Sequence, residues 1–352
     1  MSNDLHDEIR AAVTAMCRAA GDDDGPHDHR CTTIDAALWN NLVGTGFTLL
    51  GVPEETGGSG GDLDDAAVVV HTAARHLARV PLAETGLLSA WLLTRTGLPI
   101  PGTGPMTTCH EPLTVEDAGR TVSGRAAAPW ARASDHVVVP LQRGRELLVA
   151  AFPLGGDDGP RIVPCTGLAG EPRDTLIFQR SPLPEATVAA PAGIDSSAIR
   201  HRGALARAIQ LAGAAEAVLD MSLRQAAERE QFGRPLNRFQ AVQHHLAALA
   251  ADVEAMRTSA ITAVRAVSAA APDAEFATAA AKATTSLCAG SVAAHGHQVL
   301  GALGFTLEHR LGSATTRLWS WRDDYGPETF WQDRLGELVL AADQWWPTVV
   351  AG

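Results

Sequence analysis

Residues 229–243 decide the fold: Arg229-Glu230-Gln231-Phe232-Gly233-Arg234-Pro235-Leu236, followed by Phe239-Gln240-Ala241-Val242-Gln243. Gly233 and Pro235 close one helix and open the next, because glycine accepts a left-handed turn and proline cannot continue a helix. Downstream, Val242, Leu246, Leu249, Val253 and Met256 recur at spacings of four, three, four and three. That is one apolar stripe, close to a coiled-coil seam, and it predicts a long helix buried against sister helices. The string therefore reads as the corner of a helical hairpin. By composition alone, its Arg229 is a basic residue near a helix C-terminus.

Working outward, three textures follow one another along the chain. Residues 1–105 read as helical, with Leu38, Leu42 and Thr45 in one segment and Ala66, Val69, Val70 and Ala73 in the next. Asp22-Asp23-Asp24-Gly25-Pro26 and Gly57-Gly58-Ser59-Gly60-Gly61 are turn chemistry and belong on the surface. Residues 106–190 carry short apolar runs, such as His136–Val139 and Glu146–Ala151, bounded by Gly, Pro and Arg. Their β-branched content predicts strands of a compact β domain. Residues 191–352 return to long helices. The expected fold class is α+β: an N-terminal helical domain, a middle β-barrel or sandwich, and a C-terminal four-helix bundle.

Charge narrows the function. The 352 residues carry 28 Lys+Arg against 40 Asp+Glu, a formal net charge of −12. A nucleic-acid partner needs phosphate-neutralising cations, so none is expected. A basic membrane-surface helix is disfavoured in the same way, and no apolar run is long enough to predict a bilayer span. Five cysteines, odd in number, far apart and without a CxxC pair, point to a reducing compartment rather than to disulfides or structural zinc. The N-terminal residues lack a basic segment leading into an apolar run, so no signal peptide is expected and the address reads as cytoplasmic. The chain has a single tyrosine, Tyr325.

The hairpin string resembles the acyl-CoA dehydrogenase family, whose R-x-x-F-G-x-P-L and F-Q-x-x-Q segments join the first two helices of a C-terminal bundle. Gly51-Val52-Pro53-Glu54-Glu55-Thr56-Gly57-Gly58 is similar to the family's N-terminal loop. Gln298-Val299-Leu300-Gly301-Ala302-Leu303-Gly304-Phe305 is similar to its Q-x-x-G-G-x-G-[YF] segment. The order of helical, β and helical domains agrees as well.

That resemblance implies FAD. Arg229 offers a fork of donors to a diphosphate. Phe232 offers a stacking face, and Gln231 and Gln240 can donate and accept. In the family this hairpin reaches the adenosine-diphosphate end of a neighbouring subunit's FAD. Gln298 and Gly301 match the segment that approaches the same cofactor, with Ala302 in place of a second glycine. In the middle domain, Cys109-His110-Glu111-Pro112 is similar to the family's T-E-P, without its Gly-rich continuation. His110 then stands where a threonine normally meets the flavin ring. Trp130 falls near a family tryptophan that packs on the flavin, and a core tryptophan is the other reading.

Desaturating a thioester needs a carboxylate to take the α proton. The family keeps a glutamate for this in one of two places. Counting on from Gly304 brings Tyr325 onto the first, and counting back from Gly233 brings Gly203 onto the second. Asp323, Asp324 and Glu328 flank the first place, and a one-residue shift makes Asp324 the candidate base, with a shorter reach than glutamate. The alternative is that Asp323 and Asp324 form a solvated N-cap before the last helix.

Other features read as structural. The run His27-Asp28-His29-Arg30-Cys31 holds possible metal ligands in what reads as a solvated linker. His244-His245 reads as polar packing, and His295 and His297, just before Gln298, as helix surface or as the lining of a pocket. Trp319, Trp321, Trp331, Trp345 and Trp346 suggest an interface or an aromatic core.

The resemblance thus implies a FAD-dependent dehydrogenase acting on an acyl thioester of CoA or of a carrier protein, with an electron-transfer flavoprotein as acceptor and a homo- or hetero-oligomeric assembly. A base-less partner subunit of a mixed tetramer, a flavin-free interaction protein and a flavin-dependent oxygenase on the same fold are the other readings.

Overall fold

A computed structural model describes residues 2–21, 33–116, 120–156, 159–306 and 309–342. These fall into two compact units. One joins α1 (Ser2–Ala19), the chain from Ala67 to Ala78 and everything described from Ala204 on. The other runs through the rest, up to Ala66 and then from Arg79 to Gly203.

The second unit is built on a sheet. It begins with α2 (Ala36–Gly44), whose N-terminus is capped by Asp35 accepting from the Leu38 amide at 2.9 Å. α3 (Leu63–Arg75) starts in this unit and ends in the other. A π-helical segment, Ala83–Ala90, leads into α4 (Trp91–Thr96). The strands follow: β1 (Met106–Thr108), β2 (Leu113–Glu116), β3 (Thr121–Pro129), β4 (His136–Arg143), β5 (Glu146–Pro153), β6 (Arg161–Val163), β7 (Arg173–Pro182) and β8 (Val188–Ala189). Their order is β6-β7-β3-β2-β4-β5-β8, with β1 beside β4. β1 and β2 run parallel to β4, and the remaining pairings are antiparallel.

Val137, Val139, Leu141, Leu148, Ala150 and Phe152 of β4 and β5 share one core with Val122, Ala126, Leu176 and Phe178 of β3 and β7. The rings of Phe152 and Phe178 meet edge to face at 5.2 Å. The sheet is thus folded so that its two halves face one another, as in a sandwich. Val138 and Val149 point the other way, into a second core with Leu92 and Leu93 of α4. β4 is therefore covered on both faces, which is why His136–Val139 reads as a continuous apolar run rather than an alternating one.

The first unit is helical. α5 (Ser196–Glu228) is 33 residues long, with its last 25 in this unit. Gly213 allows α5 to lie against α3: a Cβ there would fall 2.4 Å from the His71 carbonyl oxygen. The two-residue strands β9 (Glu230–Gln231) and β10 (Arg234–Pro235) form the hairpin, and α6 (Gln240–Ser268) follows. α7 (Ala274–Leu300) packs against α6, α8 (Leu311–Trp321) and α9 (Glu328–Ala341). Of the predicted stripe on α6, Leu249, Val253 and Met256 are buried, while Val242 and Leu246 near the hairpin are half-buried. No described helix is long and apolar enough to cross a membrane. No disulfide joins the described cysteines, and burial pushes the Cys109 thiol up to about 12. The His27–Cys31 run, Trp345 and Trp346 lie outside the described residues.

Candidate functional site

The hairpin presents a compact set of ligand-capable groups. Leu236 N donates to Arg229 O at 2.9 Å and closes the turn, with Gln231 opposite Arg234 in the ladder. Phe232 sits at φ 51° and is 92% exposed, so its ring is held out on a strained backbone rather than packed. Behind it, the Phe239 ring lies edge-on at 6.2 Å, with the Arg234 guanidinium 4.2 Å from its centroid. Arg229, Gln231 and Gln240 are exposed as well.

Gln298 and Gly301 close α7. Gly301 adopts φ 61°, ψ −140°, a conformation that side chains resist, and the space beside it is open. His245 on α6 and His295 on α7 bring their Nδ1 atoms to 3.0 Å. From that crossing, Gln240 lies five residues back along α6 and Gly301 six residues on along α7. At about 1.5 Å per residue the two lie at the same end of the antiparallel pair. The structure thus collects Arg229, Gln231, Phe232, Gln240, Gln298 and Gly301 at one end of the bundle. A guanidinium, a bare aromatic face, three amides and an open backbone are the donor set that a flavin dinucleotide requires, and the fit is good at this end.

The turn between α8 and α9 is different in kind. Arg207 of α5 donates from Nε to Asp324 Oδ2 at 2.8 Å and from Nη1 to the Gln210 side chain, and both Arg207 and Asp324 are buried. The guanidinium lies 5.9 Å from the Trp321 ring and 6.0 Å from the Tyr325 ring. From α7, Lys282 donates from Nζ to Arg322 O at 2.5 Å, Gly326 O at 3.0 Å and Ser286 Oγ at 2.8 Å. Burial pushes the Lys282 ammonium down to about 8, against the opposing pull of Asp324 and Asp323. Tyr325, at φ 57°, is itself buried, and its carbonyl accepts from Trp331 Nε1 at 3.2 Å.

This turn corrects the capping expectation. α9 begins at Glu328 behind Pro327 with no side-chain cap, so neither Asp323 nor Asp324 serves as its N-cap. Asp323 is exposed beside Arg322 instead. Trp321 and Trp331 are core residues, whereas Trp319 is partly exposed and shares a stack with His297 and Phe305. Sequence reading missed Arg207 and Lys282. The available signal was Lys282 as the one charge in the run Ala277–Ser286.

In the sheet unit, Trp130 takes φ 61° and is 4% exposed, so its ring is covered by protein. Its amide donates to Pro172 O at 3.1 Å and its carbonyl accepts from Ser134 Oγ at 3.0 Å. The next turn is fixed by Asp174, fully buried, which accepts from Arg132 N and Nε at 2.8 Å each.

Two family models match the sequence. Residues 3–99 match the acyl-CoA dehydrogenase N-terminal domain and residues 198–321 the C-terminal domain. The chain belongs to the acyl-CoA dehydrogenase family. It is similar to the acyl-CoA dehydrogenase IpdE2 of Mycolicibacterium smegmatis, 29% identical over 63% of this chain and 64% of that one. Against IpdE2 of Mycobacterium tuberculosis it is 29% identical over 78% of each. Its fold matches the ChsE4–ChsE5 complex of Mycobacterium tuberculosis with a TM-score of 0.84, at 22% identity and 97% coverage of both chains. A glutaryl-CoA dehydrogenase of Mycobacterium smegmatis, solved with FADH2, gives a TM-score of 0.83 at 16% identity, covering 96% of this chain and 95% of that one. The acyl-CoA dehydrogenase fold therefore extends over both units.

Proposed function

We propose that this chain binds FAD and acts on acyl thioesters within a mixed acyl-CoA dehydrogenase assembly, as the subunit that carries no α-proton base of its own. The observation that carries this reading is the α8–α9 turn. By the gap-free count, buried Tyr325 falls on the family's glutamate place, and the neighbouring carboxylate, Asp324, is committed to buried Arg207. Gly203 stands at the other place and offers no side chain.

Bound FAD would supply the hydride acceptor for thioester desaturation, with an electron-transfer flavoprotein as the onward acceptor. In that assembly Arg229 would hold the diphosphate, Phe232 would offer a stacking face, and Gln231, Gln240 and Gln298 would supply amide contacts. Gly301 lets the backbone approach. Tyr325 is a poor base, because a phenol has a reference pKa near 10. The α proton is accordingly removed by a carboxylate of the partner. The ChsE4–ChsE5 complex, whose fold this chain shares, is a two-protein assembly, and that supports the reading.

A second reading makes Asp324 the base, since it is the carboxylate adjoining the vacated position. It requires the side chain to leave Arg207. Native mass and visible flavin absorbance, on the chain expressed alone and together with a glutamate-bearing family member, separate the readings. The proposal expects a mixed oligomer with flavin. A homo-oligomer that turns over acyl-CoA unaided would refute it.

A further inference from the structure

Arg202 lies on the opening turns of α5, in the sheet unit, and is half-buried. Its Nε donates to Leu87 O at 2.8 Å, and the carbon at the centre of its guanidinium stands 5.4 Å from the middle of the Trp91 ring. These contacts hold the group in place and use one of its N–H donors. Nη1 and Nη2 carry the remaining donors and have no hydrogen-bond or ion-pair partner among the described residues. Leu87 belongs to the π-helical segment Ala83–Ala90, and short π segments inside helices frequently mark functional sites.

The charge of Arg202 is uncompensated. Two other covered guanidinium groups of this chain sit against carboxylates, Arg132 on Asp174 and Arg207 on Asp324. That is the usual arrangement, because a charge withdrawn from water is costly unless it is paired. Beside Arg202, among the described residues, the one charge that acts on it is Arg95, of the same sign. Burial, with that repulsion added, pushes its guanidinium down to about 10. Arg95 closes α4, is exposed, and likewise has no hydrogen-bond or ion-pair partner among the described residues.

We propose that Arg202, supported by Arg95, binds the carboxylate of a small organic acid. The open Nη pair matches the two oxygens of a carboxylate in a parallel fork. The Trp91 ring offers an apolar face to the carbon frame that carries it. A bound carboxylate supplies the counter-charge that the fold itself leaves out. A free carboxylic acid and the far end of a dicarboxylic acyl group share this chemistry. The second source rests on the acyl-thioester reading above, and the first does not.

Isothermal titration of the full chain with FAD present separates the two sources. Hexanoate against its neutral isostere hexanamide reads the free acid, and adipyl-CoA against hexanoyl-CoA reads the acyl tail. In at least one pair the member with the additional carboxylate should bind about tenfold more tightly, and an equal concentration of inorganic phosphate should leave that preference standing. Arg202→Met should remove it. Arg95→Gln, at an exposed position, should keep the melting temperature and narrow the preference about threefold. Visible absorbance of the same samples reports flavin binding separately, so loss of FAD does not imitate loss of the preference. Equal binding within both pairs, a preference abolished by phosphate, one that survives Arg202→Met, or one unchanged in Arg95→Gln would overturn the proposal.

Discussion

Arg207 Nε donates to Asp324 Oδ2 over 2.8 Å, with both side chains inside the bundle unit. Removing one partner of such a pair strands the other charge, at about 3–5 kcal/mol, whereas apolar replacement of both can be nearly neutral. Asp324→Ala should therefore lower unfolding free energy in urea by about 3–5 kcal/mol, and the double variant Arg207→Met/Asp324→Leu should recover most of it. Equal losses in the single and the double variant would mean that the pair is not what holds the turn.

Lys282 sets a pH dependence. Its folded value is pushed down to about 8 from an ordinary 10.5. Between these two values the unfolded chain holds the proton and the folded chain does not, so this group makes stability rise with pH over that window. Cys109 and Cys288, raised to about 12 and about 11, work in the opposite sense above pH 9. The difference between the wild-type chain and Lys282→Met isolates the lysine. Unfolding free energies from pH 7 to 10.5 should show the wild type gaining relative to the variant, and a flat difference would contradict the assignment.

Phe232 is 92% exposed and touches little besides Phe239, so Phe232→Ala should leave the melting temperature unchanged. In the flavin-loaded assembly it should weaken FAD retention, since stacking on a base is worth about 1–3 kcal/mol. Equilibrium dialysis of FAD reads this directly. Gly301→Val should act in the same direction, because φ 61° is unfavourable for a branched side chain.

If Tyr325 performs no proton transfer, Tyr325→Phe should leave turnover of the assembled enzyme and its pH profile unchanged. A loss of about a hundredfold or more, the range that general bases contribute, would make the phenol catalytic.

The architecture was legible because its signals are local. Gly233 and Pro235 mark the hairpin, and the β4 and β5 runs stand out by their β-branched content. The count that brings Tyr325 onto the family's glutamate place is also a reading of the sequence alone. What was not legible depends on residues far apart in the chain. Arg207 and Asp324 are 117 positions apart, and Lys282 reaches Arg322 and Gly326 across 40 and 44. No spacing rule pairs them, so Asp324 read as a cap or a base rather than as a counter-ion. Trp130 was ambiguous for the same reason, because burial is a property of the packed sheet unit.

In the proposed function the chain lacks a base and gains activity only with a partner. Anaerobic addition of acyl-CoA to the FAD-loaded chain, followed by the visible flavin absorbance, tests it most directly. No bleaching is expected for the chain alone, and bleaching once a glutamate-bearing family member is assembled with it. Bleaching by the chain alone, abolished in Asp324→Asn, would contradict it.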